Sequence, residues 1–120
     1  MVCNKMESEM KEEQNSFYEN VYEIVKLIPT GRVTTYGAIA SALGASKSSR
    51  LVGMAIMAAH HPNIQLPIHR VVNRNGLLTG KHHYRGAKSM QELLELEGIN
   101  IENDKVSNFK DIFWDPLIEL

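Results

Sequence analysis

Glu97 makes the largest demand on the fold. It stands seven residues after Met90 on a stripe otherwise made of Met90, Leu93 and Leu94. A carboxylate on an apolar face must find a partner or incur a large desolvation cost. The remaining reactive side chains suggest little chemistry. His60-His61 and His82-His83 lack the i, i+4 helical spacing or cysteine-rich frame of a metal site, so neither a metal nor a cofactor is expected. Cys3, the single cysteine, can form no internal disulfide and lies in a polar terminal segment, which makes it a poor nucleophile. Recognition of a polyanion is better supported. No acidic residue occurs between Glu23 and Glu92, an interval holding Lys26, Arg32, Lys47, Arg50, Arg70, Arg74, Lys81, Arg85 and Lys88 with all 5 histidines. The flanks carry all 14 carboxylates and cancel this charge to a net of -1. A basic, acid-free window is an electrostatic footprint for phosphates.

The elements that must position these groups are mostly helical. Residues 16–28 read as an amphipathic helix with Phe17, Val21, Ile24, Val25 and Ile28 on one stripe, capped by Ser16 and ended by Pro29 and Gly31. Val33 and Thr34 form a short extended piece, and Thr35 caps a second helix from Tyr36 to Leu43. Gly44 suits a left-handed exit. Ser46 is expected to cap a third helix, Lys47 to Ala59, with Leu51, Val52, Ala55, Ile56 and Ala59 inward. Two helices joined by a short glycine-containing turn form a helix-turn-helix, whose second helix meets DNA. Its outer face offers Lys47, Arg50, Met54 and Met57, with Met57 equally suited to the core, and Gly53, Ala55, Ala58 and Ala59 keep it slim. Ile68 to Val72 has the look of a short strand, Asn73 to Gly76 a turn, Gly80 to Gly86 a polar loop, and Ala87 to Glu97 a last helix stopped by Gly98. An extended tail with Phe109, Phe113 and Trp114 should dock on the domain.

Pro67-Ile68-His69-Arg70-Val71 resembles the Pro-Cys-His-Arg-Val strand of the O6-alkylguanine-DNA alkyltransferases, with Ile68 at the acceptor cysteine's place. The neighbouring segments extend the resemblance over residues 17 to 101: Pro29 to Gly37, Arg50 to Gly53, His61-Pro62, Gly76, Gly80, and Leu93, Leu94, Glu97, Gly98 follow in the family's order. The pattern without cysteine is similar to the alkyltransferase-like proteins, in which tryptophan or alanine is the more familiar replacement. His61 replaces the usual asparagine, one residue is added in the 60–66 loop, and two are added near residue 81.

This resemblance implies a mainly α fold with a short β element and a winged helix-turn-helix-like DNA-binding domain over residues 15–101; outside it, the polar segment 1–14 is expected to be flexible and 102–120 to be a tail packed on the domain. It implies that His69 and Glu97 are the pair that elsewhere activates the acceptor thiol. An isoleucine side chain has no lone pair and no ionisable proton, so alkyl transfer at that position is ruled out. His69 and Glu97 then read as a vestigial pair bracing strand against helix; hydrolysis by a His69-activated water would lack any visible oxyanion stabiliser. By the same resemblance Arg50 fills the space of a flipped nucleotide, with an ordinary phosphate contact as the alternative. Tyr36 crowds the adjacent phosphate or packs under its helix. Pro67, Ile68 and Val71 form one wall of a lesion pocket and His82, His83 and Tyr84 another. The implied partner is double-stranded DNA carrying O6-alkylguanine, read without chemistry and passed to nucleotide excision repair proteins. A helix-turn-helix transcriptional regulator on the same scaffold is the competing reading, although the third helix has few Asn, Gln or Arg side chains for base readout. With no signal peptide and no run of about 18 apolar residues, a cytoplasmic, non-membrane monomer is expected.

Overall fold

The structure, a computed structural model, describes residues 2–61, 63–84 and 89–120, and their side chains apart from those of residues 2–14 and His83. Helix α1 runs Val2–Leu27. Its start therefore lies well before Ser16, which sits within the helix; residues 2–14 are rich in Glu, Lys, Met and Gln and contain no Pro or Gly to interrupt it. Val21, Ile24, Val25 and Ile28 are buried as the stripe required. The chain then turns through Gly31 (φ +83°) into β1, Thr34–Thr35. Thr35 ends the strand and caps α2, Tyr36–Ala42, its Oγ1 accepting from the Ala38 amide at 3.0 Å.

Gly44 (φ +71°) supplies the left-handed exit from α2. Helix α3 spans Ser49–Ala58, two residues later than expected, because the Ser48 amide first closes a turn on the Ala45 carbonyl at 2.8 Å. Ser46 does not cap it, and the residue that precedes it, Ser48, makes no side-chain cap bond. Val52, Ala55, Ile56 and Ala59 are buried, while Leu51 is half-buried. Ala55 and Ala59 thus fill the core and do not slim the outer face.

The expected strand at 68–72 is only partly a strand. Ile68–Arg70 forms a single 3-10 turn, closed by the Arg70 amide on the Pro67 carbonyl at 3.0 Å, and β2 is Val71–Val72. Tertiary bonds to the Arg70 side chain, described below, override the β propensity of the segment. Strands β1 and β2 are parallel, with Thr34 beside Val71 and Thr35 beside Val72. Val33 makes a further parallel bridge to Phe113 on the opposite side.

A turn at 73–76 follows, in which Asn73 Oδ1 accepts from the Asn75 and Leu77 amides. A 3-10 segment covers Thr79–His83, and α4 spans Met90–Leu96. Ser89 caps α4 through the Glu92 amide; the expected start at Ala87 lies outside the described residues. The tail is not extended. It forms an antiparallel hairpin of β3 (Ile101–Glu102) and β4 (Lys105–Val106), then α5 (Phe109–Ile112) and α6 (Pro116–Glu119). Asn103 and Asp104, both at positive φ, make the hairpin turn, for which short polar residues are suited.

Two cores meet at the strand pair. One gathers α1, α2 and α3 with Val71 and Trp114; the other gathers Val33, Val72, Leu78, Met90, Leu94, Ile99 and Val106. Alternation along a strand sends Val71 and Val72 to opposite sides, so two short strands serve both cores. None of the described helices is long and apolar enough to cross a membrane.

Candidate nucleic-acid interface

Helices α2 and α3 present the expected helix-turn-helix, and α6 packs on α2 from behind. On the outer side of this pair Lys47 and Arg50 are exposed, and so are both methionines, Met54 at 45% and Met57 at 51%. Met57 is therefore not a core residue. Lys47 precedes the first turn of α3. Gly53 is half-buried beside Tyr36: a Cβ at Gly53 would lie 3.9 Å from the ring. The ring of Tyr36 thus fills the space between α3 and the 79–84 segment, where its hydroxyl bonds the Thr79 side chain. Burial raises the Tyr36 pKa and the Thr79 bond partly offsets the rise.

The two expected pocket walls are found only in part. Ile68 and Leu66 are half-buried against the first core, and Pro67 is half-buried beside them. Val71 is 1% exposed and lies behind this wall, in the core, so it lines nothing. On the other side His82 is exposed, and the side chain of His83 lies outside the described residues. Tyr84 meets His60 edge-on at 4.6 Å. Its hydroxyl is buried without a hydrogen-bond partner among the described residues, and burial followed by the proximity of Tyr36 pushes its pKa up. No spacing rule signals the Tyr84–His60 contact, which joins residues far apart in the chain.

Behind Ile68 the His69–Glu97 pair is present. Glu97 caps the C-terminal end of α4, and His69 Nε2 donates to its Oε2 at 2.5 Å. Two further partners were not foreseen. The Gly31 amide donates to Oε1 at 2.8 Å, and Arg70 Nε donates to both carboxylate oxygens at 3.0 Å. Arg70 also reaches the Ile28 carbonyl and Thr30 Oγ1, so it ties the end of α1, the 3-10 turn and α4 together. Burial by itself would raise the Glu97 pKa; the Gly31 amide, His69 and Arg70 outweigh it and hold the carboxyl below its ordinary range. A carboxylate so fully engaged is a poor proton acceptor, and the cluster works as a brace.

The acid-free basic window of the sequence is not acid-free in space. Arg32 donates to the Ile112 and Phe113 carbonyls and to Glu119 of the tail. Arg70 is taken by Glu97, Lys81 pairs with Asp104 and Lys26 with Glu23. Lys47, Arg50 and Arg74 make no ion pair with a described residue, whereas Arg85 and Lys88 lie outside the described residues. The footprint contracts to α3 and to the 73–76 turn. Among the described residues no group of three or more His, Cys, Asp or Glu is placed to hold a metal ion.

A helix-turn-helix joined to a braced Pro-Ile-His-Arg-Val segment defines the class. Residues 16–99 match the family model of the 6-O-methylguanine DNA methyltransferase DNA-binding domain, and the chain belongs to this family. It is 35% identical to alkyltransferase-like protein 1 of Schizosaccharomyces pombe over 85% of this chain and 97% of that protein. It is 34% identical to the DNA base-flipping protein of Escherichia coli over 90% of this chain and 81% of the relative. The fold superimposes on S. pombe Atl1 in complex with damaged DNA containing O6-carboxymethylguanine, with a TM-score of 0.71, 33% identity, and coverage of 83% of this chain and 95% of that one.

Proposed function

We propose that this protein is a non-enzymatic reader of O6-alkylguanine in duplex DNA, which flips the modified nucleotide and flags it for nucleotide excision repair. The observation that supports the proposal is Ile68, which by the resemblance takes the acceptor cysteine's place, next to the His69–Glu97–Arg70 brace. The frame that aims a residue at the flipped base is kept, and the residue aimed is inert. A modified O6 atom is buried in the base stack, so inspection requires extrusion at about a few kcal/mol, less where pairing is already weak. Arg50, exposed in the first turn of α3, fills the vacated space, where a planar cation can stack on bases and satisfy the orphaned cytosine. Tyr36 crowds the neighbouring backbone, and Lys47 holds a phosphate. Pro67 and Ile68 form one wall for the alkyl group, which Ile68 contacts by dispersion, and Tyr84 stands on the other. The protein acts as a monomer and in the cytoplasm.

The competing reading, a transcriptional regulator, would need base-edge contacts from α3. Its exposed face offers Ser49, Arg50, Met54, Met57 and Ala58, with no Asn or Gln. One experiment separates the readings: affinities for matched duplexes with guanine or O6-methylguanine, followed by mass spectrometry of protein and DNA. Lesion affinity should be about tenfold higher, worth about 1.4 kcal/mol, with both masses unchanged. Equal affinities would favour the regulator, and a stoichiometric gain of one methyl group by the protein would make it an alkyltransferase.

A further inference from the structure

Outside the helix-turn-helix, one surface has the makings of a second phosphate contact. The 73–76 turn, β4 and α5 line an open groove of about 630 Å³, with Arg74, Asn75, Lys105, Asn108 and Lys110 among its walls and Asp111 as its one carboxylate among the described residues. Arg74, Lys105 and Lys110 are exposed and make no ion pair with a described residue, unlike Arg32, Arg70 and Lys81. The groove is also stiff. Asn73 Oδ1 holds two amides of its turn, the Val106 amide donates to the Gly76 carbonyl at 3.0 Å, and Leu77 bridges Lys105. Gly76 lies so close under Phe109 that a Cβ would sit 3.1 Å from the ring. Cations without an internal ion pair lose little on meeting an anion, because no ion pair must first be broken.

Its place in the fold decides which anion. Strands β1 and β2 are parallel and in register at Thr35 and Val72, so the residues that follow them, Tyr36 and Asn73, leave the strand pair at the same end. Tyr36 begins the helix-turn-helix and Asn73 begins the basic turn. We infer that the Arg74–Lys105–Lys110 groove seats the phosphodiester backbone of the same duplex that α3 engages, beyond the flipped nucleotide. This rests on the DNA-binding part of the reading above and not on its lesion preference. Contacts of this kind position the protein without reading sequence, and each neutralised phosphate releases counterions.

The test is a salt titration of wild type and Arg74→Ala/Lys110→Ala by fluorescence anisotropy, on duplexes with guanine and with O6-methylguanine. Losing two phosphate contacts should flatten the slope of log K against log salt by about 1.8. Between 50 and 200 mM salt the wild type should therefore lose about twelvefold more affinity than the variant, on both duplexes alike. A scan of single neutral methylphosphonates along the duplex then locates the contact: at one or two positions outside the lesion step, neutralisation should weaken wild type and leave the variant unaffected. Melting temperatures verify that the variant is folded, as expected for exposed side chains. An unchanged slope, or a flatter slope with no methylphosphonate position lost, overturns the inference. Binding of free phosphate or a mononucleotide to the groove at low salt, without effect on duplex binding, also overturns it, since the groove would then serve a small anion. Because the slope is read on unmodified duplex too, a wild type without lesion preference would sink the lesion-reader proposal and leave this test standing.

Discussion

Removal of the Glu97 carboxylate tests the claim that the cluster behind Ile68 is a brace. Glu97 is 11% exposed, Arg70 15% and His69 14%, so solvent cannot readily replace what the substitution removes. In Glu97→Ala the Gly31 amide, His69 Nε2 and Arg70 Nε lose their acceptor together, and a mostly buried guanidinium is left with the Ile28 carbonyl and Thr30. Removing one partner of a buried pair costs about 3–5 kcal/mol; partial exposure places this case near 3. Glu97→Gln keeps an acceptor for Gly31 but sets an amide donor against His69 or Arg70, at a cost of about 1.5 kcal/mol. For a chain of this size these correspond to losses of about 12 °C and 6 °C in Tm. The assay is thermal unfolding by circular dichroism, with Arg70→Ala and the double variant completing a cycle whose coupling should exceed about 1 kcal/mol. The pH dependence has a definite sign. The folded-state pKa of Glu97 lies below its ordinary value of 4.5, so its stabilisation is complete above that pH and is lost as pH falls through the folded value. The difference between wild type and Glu97→Gln should stay constant from neutrality to about pH 5 and close below it. A Tm within about 2 °C of wild type for Glu97→Ala, or a difference that widens in acid, would refute the brace.

Arg50→Ala should lower affinity for the modified duplex far more than for the unmodified one and quench the fluorescence signal of a neighbouring 2-aminopurine, whereas Lys47→Ala should weaken both duplexes by the same factor and flatten the salt slope by about one unit; equal losses for Arg50→Ala would make it another phosphate contact. Gly76→Ala should cost about 1–3 kcal/mol in urea unfolding, because φ is +80° and the new Cβ meets Phe109; a neutral result would show that α5 yields at little cost. Tyr84→Phe should leave stability unchanged within about 0.5 kcal/mol, since its hydroxyl has no described partner to lose, and a clear drop in Tm would reveal a bond that the hydroxyl makes.

Features that depend on neighbouring residues were legible in the sequence. The apolar stripe of α1, the Thr35 cap and the glycines at 31, 44, 76 and 98 stand where local chemistry required them, each of these glycines at positive φ. The 3-10 turn at Ile68–Arg70 was hidden, because a β-branched run reads as strand unless the anchoring of Arg70 is known. Charges were harder still. Asp104 and Glu119 reach Lys81 and Arg32 across 23 and 87 residues, and no spacing rule predicts such pairs. The hairpin turn at Asn103-Asp104 does carry a local signal, since short polar residues suit left-handed geometry. The need of Glu97 for a partner is legible in its stripe, and His69 follows from the resemblance, whereas Arg70 reads as one more cation of the basic window until its bonds to Glu97 are seen.

The attachment of residues 112–119 to Arg32 and Val33 also bears on the order of assembly. Helices α1 to α3 can form from local contacts, but the strand before α2 has an open edge until Phe113 bridges Val33 and the Trp114 amide donates to the Val33 carbonyl at 2.7 Å. Arg32 closes the same seam over 80 residues of chain. Contacts of such separation form late, and loop-closure entropy delays them further. During synthesis the helix-turn-helix therefore exists before its support does, and an exposed strand edge is a template for mispairing until the last two short helices emerge. Support for the helix-turn-helix thus arrives only with residues 112–119, although α2 and α3 lie far earlier in the sequence.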